Sequence, residues 1–314
     1  MLKKFIKSAI IFILFIVGIW CIFSAPVVLH LNTLLTALFT AAVTILFAGT
    51  FFNRSAMIFL GIIEFTFLLH FVSLTPQQQF KNTRFMRIFA IKPEINFLPN
   101  GKFEVINLRD NRYRTVDDYD DNFIRQSFDP AAVEKLDMAV IYWDNMSSTA
   151  HIIFNFKFND GKELALSVEP RTPLNSSREP WHCLCKQQEL LFVLGTPRDL
   201  MDLRIYHRGE DLYLFQLDFT PDEIRIFLDY VIRKTDKLNR KPEFYNLITR
   251  NCITSLIPGL KKIKPGFKGD LRILFNGEFA RLLYEEKMLI HRPGESFESL
   301  KSRSFRKGKS QGKL

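Results

Sequence analysis

The sequence has no internal repeat, which excludes solenoids and propellers built from stacked copies of one unit. It has four cysteines in 314 residues, and the cluster His182-Cys183-x-Cys185 lacks a fourth ligand, so a tetrahedral zinc site has no complete donor set. Charge is absent over long stretches. No Lys, Arg, Asp or Glu lies between Lys7 and Arg54, and no acid follows Glu298. With 47% hydrophobic residues, a chain with such a gap is too apolar at one end for a purely soluble protein.

What fills the uncharged region is hydrocarbon. Residues 5–23, 27–49 and 56–74 are three apolar runs, each long enough to cross about 30 Å of bilayer core as a helix. All three are expected to be transmembrane. Lys3, Lys4 and Lys7 before the first run, with Ser24-Ala25-Pro26 after it, resemble a signal peptide, but the apolar core is longer than a typical h-region and Pro26 would sit beside the cut. An uncleaved anchor is therefore expected. The same lysines, with Arg54 between the second and third runs, place the N-terminus inside and everything after residue 75 outside. In a two-membrane bacterium this describes a multi-pass inner-membrane protein with its C-terminal part in the periplasm. Glu64, mid-span, is expected to face the bundle interior with a partner; His30 and His70 near the outer helix ends are read as packing residues, and Cys21 as packed or lipid-facing.

Four segments follow: an anchor (1–75), a polar connector of mixed charge that packs on the domain (76–120), a globular domain (121–265) and a C-terminal extension (266–314). The net charge of +10 owes six charges to Lys301, Arg303, Arg306, Lys307, Lys309 and Lys313. Such a tail reads as a disordered arm, either touching anionic lipid or simply solvated. Basic tails are also common on cytoplasmic sides, which counts against the outward topology.

Within the domain, 138–143, 151–158, 163–170, 189–195, 202–208 and 211–219 are short, β-branched or aromatic, and bounded by turn residues, which predicts a strand series. Thr220-Pro221-Asp222-Glu223 is a capping box with proline at the first helical position. Ile224, Phe227, Leu228, Val231 and Ile232 then recur at helical spacing, predicting an amphipathic helix over 221–238. The class is α+β, with an antiparallel sheet.

Asn159-Asp160-Gly161 suits a type I turn closed by a left-handed glycine, a three-residue hairpin pairing Phe158 with Lys162. Counting outward sets Phe156, Phe154 and Ile152 opposite Leu164, Leu166 and Val168 on an apolar face. The other face, expected to be polar, pairs Lys157 with Glu163, Asn155 with Ala165, Ile153 with Ser167 and His151 with Glu169. A carboxylate beside an imidazole fixes its tautomer, as a general base requires; a surface ion pair is the competing reading. In "TRNCITSLIPGL", Asn251 is a candidate N-cap, Cys252 lies in the first turn, and Pro258-Gly259 is expected to end the helix. A thiol there feels the positive helix end, which lowers its pKa; a small apolar residue packing at a helix start is the alternative.

The strings "AHIIFNFKFNDGKELALSVEPR", "QQELLFVLGTPRDLMDLRIYHRGEDLYLF" and "KPEFYNLITRNCITSL" together resemble the Lnb N-terminal periplasmic domain family over roughly residues 100–260. The resemblance implies a circularly permuted papain-like fold in which the histidine strand precedes the cysteine helix, an order shared with the lecithin retinol acyltransferase group. It also implies thiol-dependent acyl chemistry at a membrane, with phospholipid as donor and the N-terminal amine of a lipoprotein as acceptor. Carried over, Cys252 is the nucleophile, His151 its base, and Glu169 or Ser167 the orienting partner, with Asn251 beside the nucleophile. Arg204, Arg208, Glu210 and Tyr213 match the family's Arg-Gly-Glu-Asp-x-Tyr region, as headgroup contacts or as a structural turn. The segment 172–188 departs from the family's usual glycine-containing link and brings His182, Cys183 and Cys185. No cofactor, metal or nucleic acid is implied. A thiol peptidase or amidase, and a non-catalytic membrane-anchored binding domain, stay open beside the acyltransferase.

Overall fold

The computed structural model describes residues 2–142, 148–174, 176 and 179–309. Trp143, the end of one expected strand, and Lys313 of the basic tail lie outside them. The chain divides into two compact units, residues 1–83 with 175–188, and residues 84–174 with 189–314.

The first unit is helical: α1 (Leu2–Val28), α2 (Thr33–Gly49), α3 (Arg54–Ser73), a single turn α4 (Pro76–Gln79) and α5 (Pro180–Leu184). Asn32 and Asn53 cap α2 and α3, each accepting a backbone N–H of the first turn. Lys4–Val28 and Arg54–Ser73 are long and apolar enough to cross a membrane, whereas α2 has 17 residues; at 1.5 Å per residue that is about 25 Å, near the lower limit for a span. Trp20 meets Phe67 and Phe71 at 5.2 and 5.0 Å between ring centroids. Glu64 is buried, and a Cβ on Gly18 of α1 would lie 3.0 Å from its Oε1. The unusual segment 172–188 belongs largely to this unit. Lys186 Nζ donates to the carbonyls of Phe71, Val72 and Leu74, satisfying groups left over at the end of α3. Cys185 joins Cys21, Ala25 and Phe67 in one apolar cluster. Among the described residues all four cysteines are free thiols, and no three His, Cys, Asp or Glu side chains are grouped to hold a metal.

The second unit is built on strands β1 (Glu94–Phe97), β2 (Phe103–Arg109), β3 (Arg112–Tyr113), β4 (Tyr119–Asp120), β5 (Phe123–Phe128), β6 (Val133–Tyr142), β7 (Ala150–Phe158), β8 (Glu163–Arg171), β9 (Glu189–Gly195), β10 (Leu212–Gln216) and β11 (Phe305–Arg306). The main sheet runs β1-β2-β9-β8-β7-β6-β10-β11, with β5 also on β2. It is mixed rather than antiparallel, because β2 meets β9 in parallel at Arg109 and Gly195. The stretch 76–120, expected as a connector, supplies β1 and β2 to this sheet, with Phe103, Val105 and Leu108 buried on β2.

The β7–β8 hairpin forms in the expected register from Lys157/Glu163 to Ile153/Ser167. Gly161 has φ +81°, and Phe158 exchanges hydrogen bonds with Lys162 and Gly161 across the turn. One face is apolar and is covered by α6 (Pro221–Arg240), whose Phe227 meets Phe154 and Phe156 at 5.6 and 5.9 Å. Thr220 and Glu223 form the expected capping box. The other face is not a solvated polar face. Ile153 and Ala165 lie in a second core with Ala139, Leu191, Val193, Leu200 and Met201, and His151, Asn155 and Ser167 are buried beside it.

The cover on that face comes from residues expected as a strand. Arg198–His207 form a wide helix, with Arg208 N–H reaching back five residues to Leu203 O. Pro197 at its start and Asp199 in its first turn favour a helix start over an extended chain. Asp199 is fully buried, accepts two hydrogen bonds from one edge of the Arg109 guanidinium (Nε 3.0 Å, Nη2 2.9 Å), and accepts from Asn111 N–H and Tyr113 Oη–H. This network fixes the wide helix to β2.

As far as Lys309 the tail does not trail away as a disordered arm. α9 (Phe297–Ser304) follows α7 (Ile257–Ile263) and α8 (Phe279–Glu285), and β11 then pairs Phe305 with Tyr213 and Arg306 with Leu212. Gly308 N–H donates to Asp211 and Lys309 N–H to Ile205, so the chain is tied to the sheet edge through Lys309.

Candidate active site

Three elements meet at the end of the β7–β8 hairpin. The ladder between the strands stops at Ile153/Ser167. Beyond it the backbones part, and His151 on β7 and Glu169 on β8 face one another through side chains on the face beneath the wide helix. His151 Nε2 lies 2.7 Å from Ser167 Oγ and 3.1 Å from Glu169 Oε1. Ser167 Oγ donates its proton to Glu169 Oε1 at 2.6 Å. With that proton committed to the carboxylate, Ser167 accepts from His151 Nε2–H; in the neutral imidazole Nδ1 is then the basic nitrogen, and in the charged ring both nitrogens carry hydrogen.

Burial alone would raise the pKa of Glu169, but the charge of His151, its hydrogen bond, Arg204 and the Ser167 hydroxyl hold it well below the usual carboxylate range. Arg204 Nη2 stands 3.8 Å from Glu169, and its Nη1 pairs with Glu210 at 3.1 Å. Arg208 reaches the same Glu210 at 3.9 Å. Of the Arg-Gly-Glu-Asp-x-Tyr region, Arg204 thus touches the candidate carboxylate. Tyr213 lies instead in an aromatic group with Tyr142 and Phe305, 5.3 and 5.2 Å away, with Lys301 over its ring.

Cys252 enters from the other side of the sequence. Asn251 caps its turn: the Oδ1 accepts N–H from Ile253 and Thr254 at 2.8 Å, and Thr254 Oγ1 accepts from Asn251 N–H. The turns of 252–256 lead into α7, so Pro258-Gly259 stands in the first turn of a helix rather than at its end. Proline is tolerated there because its missing N–H has no partner to lose.

The Cys252 thiol is not activated in this arrangement. Burial, reinforced by the charge of Glu169, pushes it up to about 12, against backbone hydrogen bonds from Ile152, Cys252 and Ile253 that favour the thiolate. The expected lowering by the helix end is present in those N–H groups, but desolvation outweighs it. The Ile152 peptide belongs to the residue next to His151, which ties the cysteine turn to the histidine strand.

Asn276 is a further residue at the site that its sequence context does not announce. Its Nδ2 donates to Cys252 Sγ at 2.9 Å, and its Oδ1 is buried with no hydrogen-bond partner among the described residues. It arrives from 24 residues away on a loop, and Asn276-Gly277 in sequence reads only as a turn.

No curated protein and no solved structure matches this chain. The family described as Lnb N-terminal periplasmic domain matches residues 119–283, a span that takes in His151, Ser167, Glu169, Arg204, Cys252 and Asn276. That match covers more than half of the chain, and the protein belongs to the Lnb N-terminal periplasmic domain family.

Proposed function

We propose that the protein is a multi-pass inner-membrane enzyme with its catalytic domain in the periplasm, moving an acyl chain from phospholipid to the amine of a lipoprotein through a thioester on Cys252. The observation that carries the reading is the convergence, at one end of one hairpin, of a cysteine sulfur, backbone N–H groups aimed at it, and a His151–Ser167–Glu169 chain. The order of histidine strand before cysteine turn supports a permuted papain-like arrangement.

The chemistry follows from the tautomer. His151 Nδ1 takes the Cys252 proton as sulfur attacks the ester carbonyl carbon, and the imidazolium so formed is stabilised by ionised Glu169. The N–H groups of Ile152 and Cys252 hold the oxyanion, the Ile253 N–H being committed to the Asn251 cap. The C–O bond then breaks, His151 returns the proton to the departing lysophospholipid alcohol, and the thioester remains. An incoming amine attacks the thioester, gives one proton to His151, and the proton passes to the departing thiolate, regenerating the thiol. Because the resting thiol is protonated, proton transfer belongs to the attack itself rather than preceding it.

One observation favours a second reading. Cys252 is 3% exposed with a raised pKa, as a packing residue in a non-catalytic binding domain would be. Incubation of the protein with phospholipid vesicles, followed by mass spectrometry, separates the two. A hydroxylamine-sensitive acyl adduct on the Cys252 peptide, absent in His151→Ala, is expected. An unacylated Cys252 that stays inert to thiol reagents with substrate present would establish the binding domain, and a reactive but unacylated one a thiol peptidase or amidase.

A further inference from the structure

The Asn276 carboxamide is bonded at one end and bare at the other. Its Nδ2 donates to Cys252 Sγ at 2.9 Å, while Oδ1 is buried with no hydrogen-bond partner among the described residues. A buried carbonyl oxygen without a donor is unfavourable, and beside a nucleophile it is the kind of group that an incoming N–H or O–H would satisfy. The side chain is held in this place. Asn276 opens the turn Asn276–Glu278, and the next residue, Gly277, is pinned on both sides: its N–H donates to Ser148 O at 3.2 Å and its carbonyl accepts Tyr142 Oη–H at 3.0 Å. Tyr142 stands at the end of β6 opposite Ala150 of β7. The strand pair that carries His151 therefore also holds Asn276 against the sulfur.

With C=O and C–N bonds of about 1.23 and 1.33 Å, the two ends of a carboxamide lie about 2.3 Å apart. When an acceptor attacks a thioester, the entering atom and the departing sulfur are bonded to one carbon and are likewise neighbours. With Nδ2 on the sulfur, Oδ1 is within reach of that entering atom. Counting hydrogens then separates the acceptors. A primary amine forms the C–N bond with its lone pair while the carbonyl π pair moves to oxygen, and one of its protons passes to His151 Nδ1. The other hydrogen stays on nitrogen while the C–S bond breaks with its electron pair on sulfur, and it becomes the amide N–H. That hydrogen is the one Oδ1 can accept. A secondary amine or an alcohol surrenders its single hydrogen to His151 and leaves Oδ1 bare. Water keeps one hydrogen, so its exclusion falls to burial, Cys252 and His151 being 3% and 4% exposed.

We propose that Asn276 selects the acyl acceptor: its Oδ1 accepts the hydrogen that a primary amine retains, while its Nδ2 holds the sulfur that the amine displaces. The inference rests on the thioester at Cys252 proposed above. A buried acceptor set aside for a substrate hydrogen discriminates against the analogue that lacks it, because the bond is then unmade. In the loading step no such hydrogen is present, and Asn276 touches the reaction only through the sulfur.

The test uses the full chain in nanodiscs of phosphatidylglycerol and phosphatidylcholine, neither of which carries a primary amine. Cys252 is loaded by the lipid, and in a parallel sample by a p-nitrophenyl acyl ester, and mass spectrometry follows only chains that carry the adduct. The loaded protein is mixed with a synthetic lipopeptide bearing a free N-terminal amine, or with the same lipopeptide methylated on that nitrogen, and the loss of the adduct is timed. The ratio of the two rates should fall about fivefold in Asn276→Leu, which has neither end of the amide, and should be retained in Asn276→Asp, which keeps an acceptor oxygen. Because both acceptors meet the same variant, a general change in thiol reactivity cancels from the ratio. A ratio unchanged in Asn276→Leu, or lost equally in Asn276→Asp, would overturn the assignment. The two readings fail separately. An adduct from lipid with a ratio indifferent to Asn276 keeps the acyl transfer and removes the role of Asn276. An adduct from the p-nitrophenyl ester alone, with the ratio still falling in Asn276→Leu, keeps that role and removes phospholipid as donor, and no adduct from either ester removes both.

Discussion

The Asn276 amide donates to the Cys252 sulfur at 2.9 Å while its own carbonyl oxygen stays buried and unsatisfied among the described residues. Such a contact masks the thiol at the cost of an orphaned acceptor, which makes the masked state easier to leave. Asn276→Ala removes both at once. One hydrogen bond of about 1 kcal/mol corresponds to roughly a fivefold change, so Cys252 should alkylate about five times faster in Asn276→Ala than in the wild type at neutral pH. Labelling at or below the wild-type rate would show that Asn276 positions the sulfur instead of covering it.

The raised pKa of Cys252 gives a signed prediction in alkali. An unfolded thiol ionises near 8.5, while the buried one waits until about 12. Between these values the unfolded chain has lost a proton that the native chain keeps, so stability falls as pH rises, by about 1.4 kcal/mol per pH unit for this single group. Comparison of wild type with Cys252→Ala by thermal denaturation from pH 8 to 10 should show that extra slope in the wild type alone.

Glu169 gives the opposite sign in acid. Its native pKa is depressed below the unfolded value of about 4.3, so its contribution is complete above that value and is lost as pH falls below it toward the native pKa. Glu169→Gln should flatten the acid limb of the stability profile below about pH 4.3. Arg204 keeps Glu210 as a partner in that variant, which limits collateral loss. If Cys252 acylation survives Glu169→Gln at the wild-type rate, the carboxylate is structural and His151 needs no orientation by it.

Arg109 is buried against Asp199, its counter-charge. Removing the carboxylate in Asp199→Ala leaves a guanidinium that is 6% exposed without its counter-charge, a change worth about 3–5 kcal/mol. The wide helix should loosen with it, carrying Arg204 away from Glu169. Denaturation should show the loss, and Arg109→Met/Asp199→Leu should restore a large part of it.

Local chemistry wrote much of this site plainly. Gly161 fixed the turn, the turn fixed the register, and the register set His151 toward Glu169; Thr220 and Glu223 marked the start of α6 in the same way. What stayed hidden depends on partners distant in sequence. Residues 202–208 alternate like a strand, and become a helix because Asp199 is clamped by Arg109, 90 residues away. The second core, over a face that reads as polar, exists because that helix lies on it. Asn276 has no signature at all, since its role comes from where a loop happens to close. The thiol pKa was misjudged because a sequence shows the helix end and not the desolvation around it.

Gly259 puts two opposed magnitudes in competition. In a helix interior, glycine to alanine gains about 1 kcal/mol of propensity. Here a Cβ would lie 2.5 Å from Tyr230 Cδ1 and 2.9 Å from Phe227 Cδ2, both ring bodies rather than flexible tips. Overpacking of that kind costs about 1–3 kcal/mol, so Gly259→Ala should destabilise despite its better propensity. The strain has a direction as well. Tyr230 donates its Oη–H to Ser255 O at 2.6 Å, three residues beyond Cys252, so displacing the ring pulls on the turn that aims the sulfur. Gly259→Ala should therefore lower both the melting temperature and the rate of Cys252 acylation, while Tyr230→Phe/Gly259→Ala, which cuts the tie to Ser255, should recover rate without recovering stability. Unchanged acylation in the single variant would mean that α7 and the cysteine turn move independently.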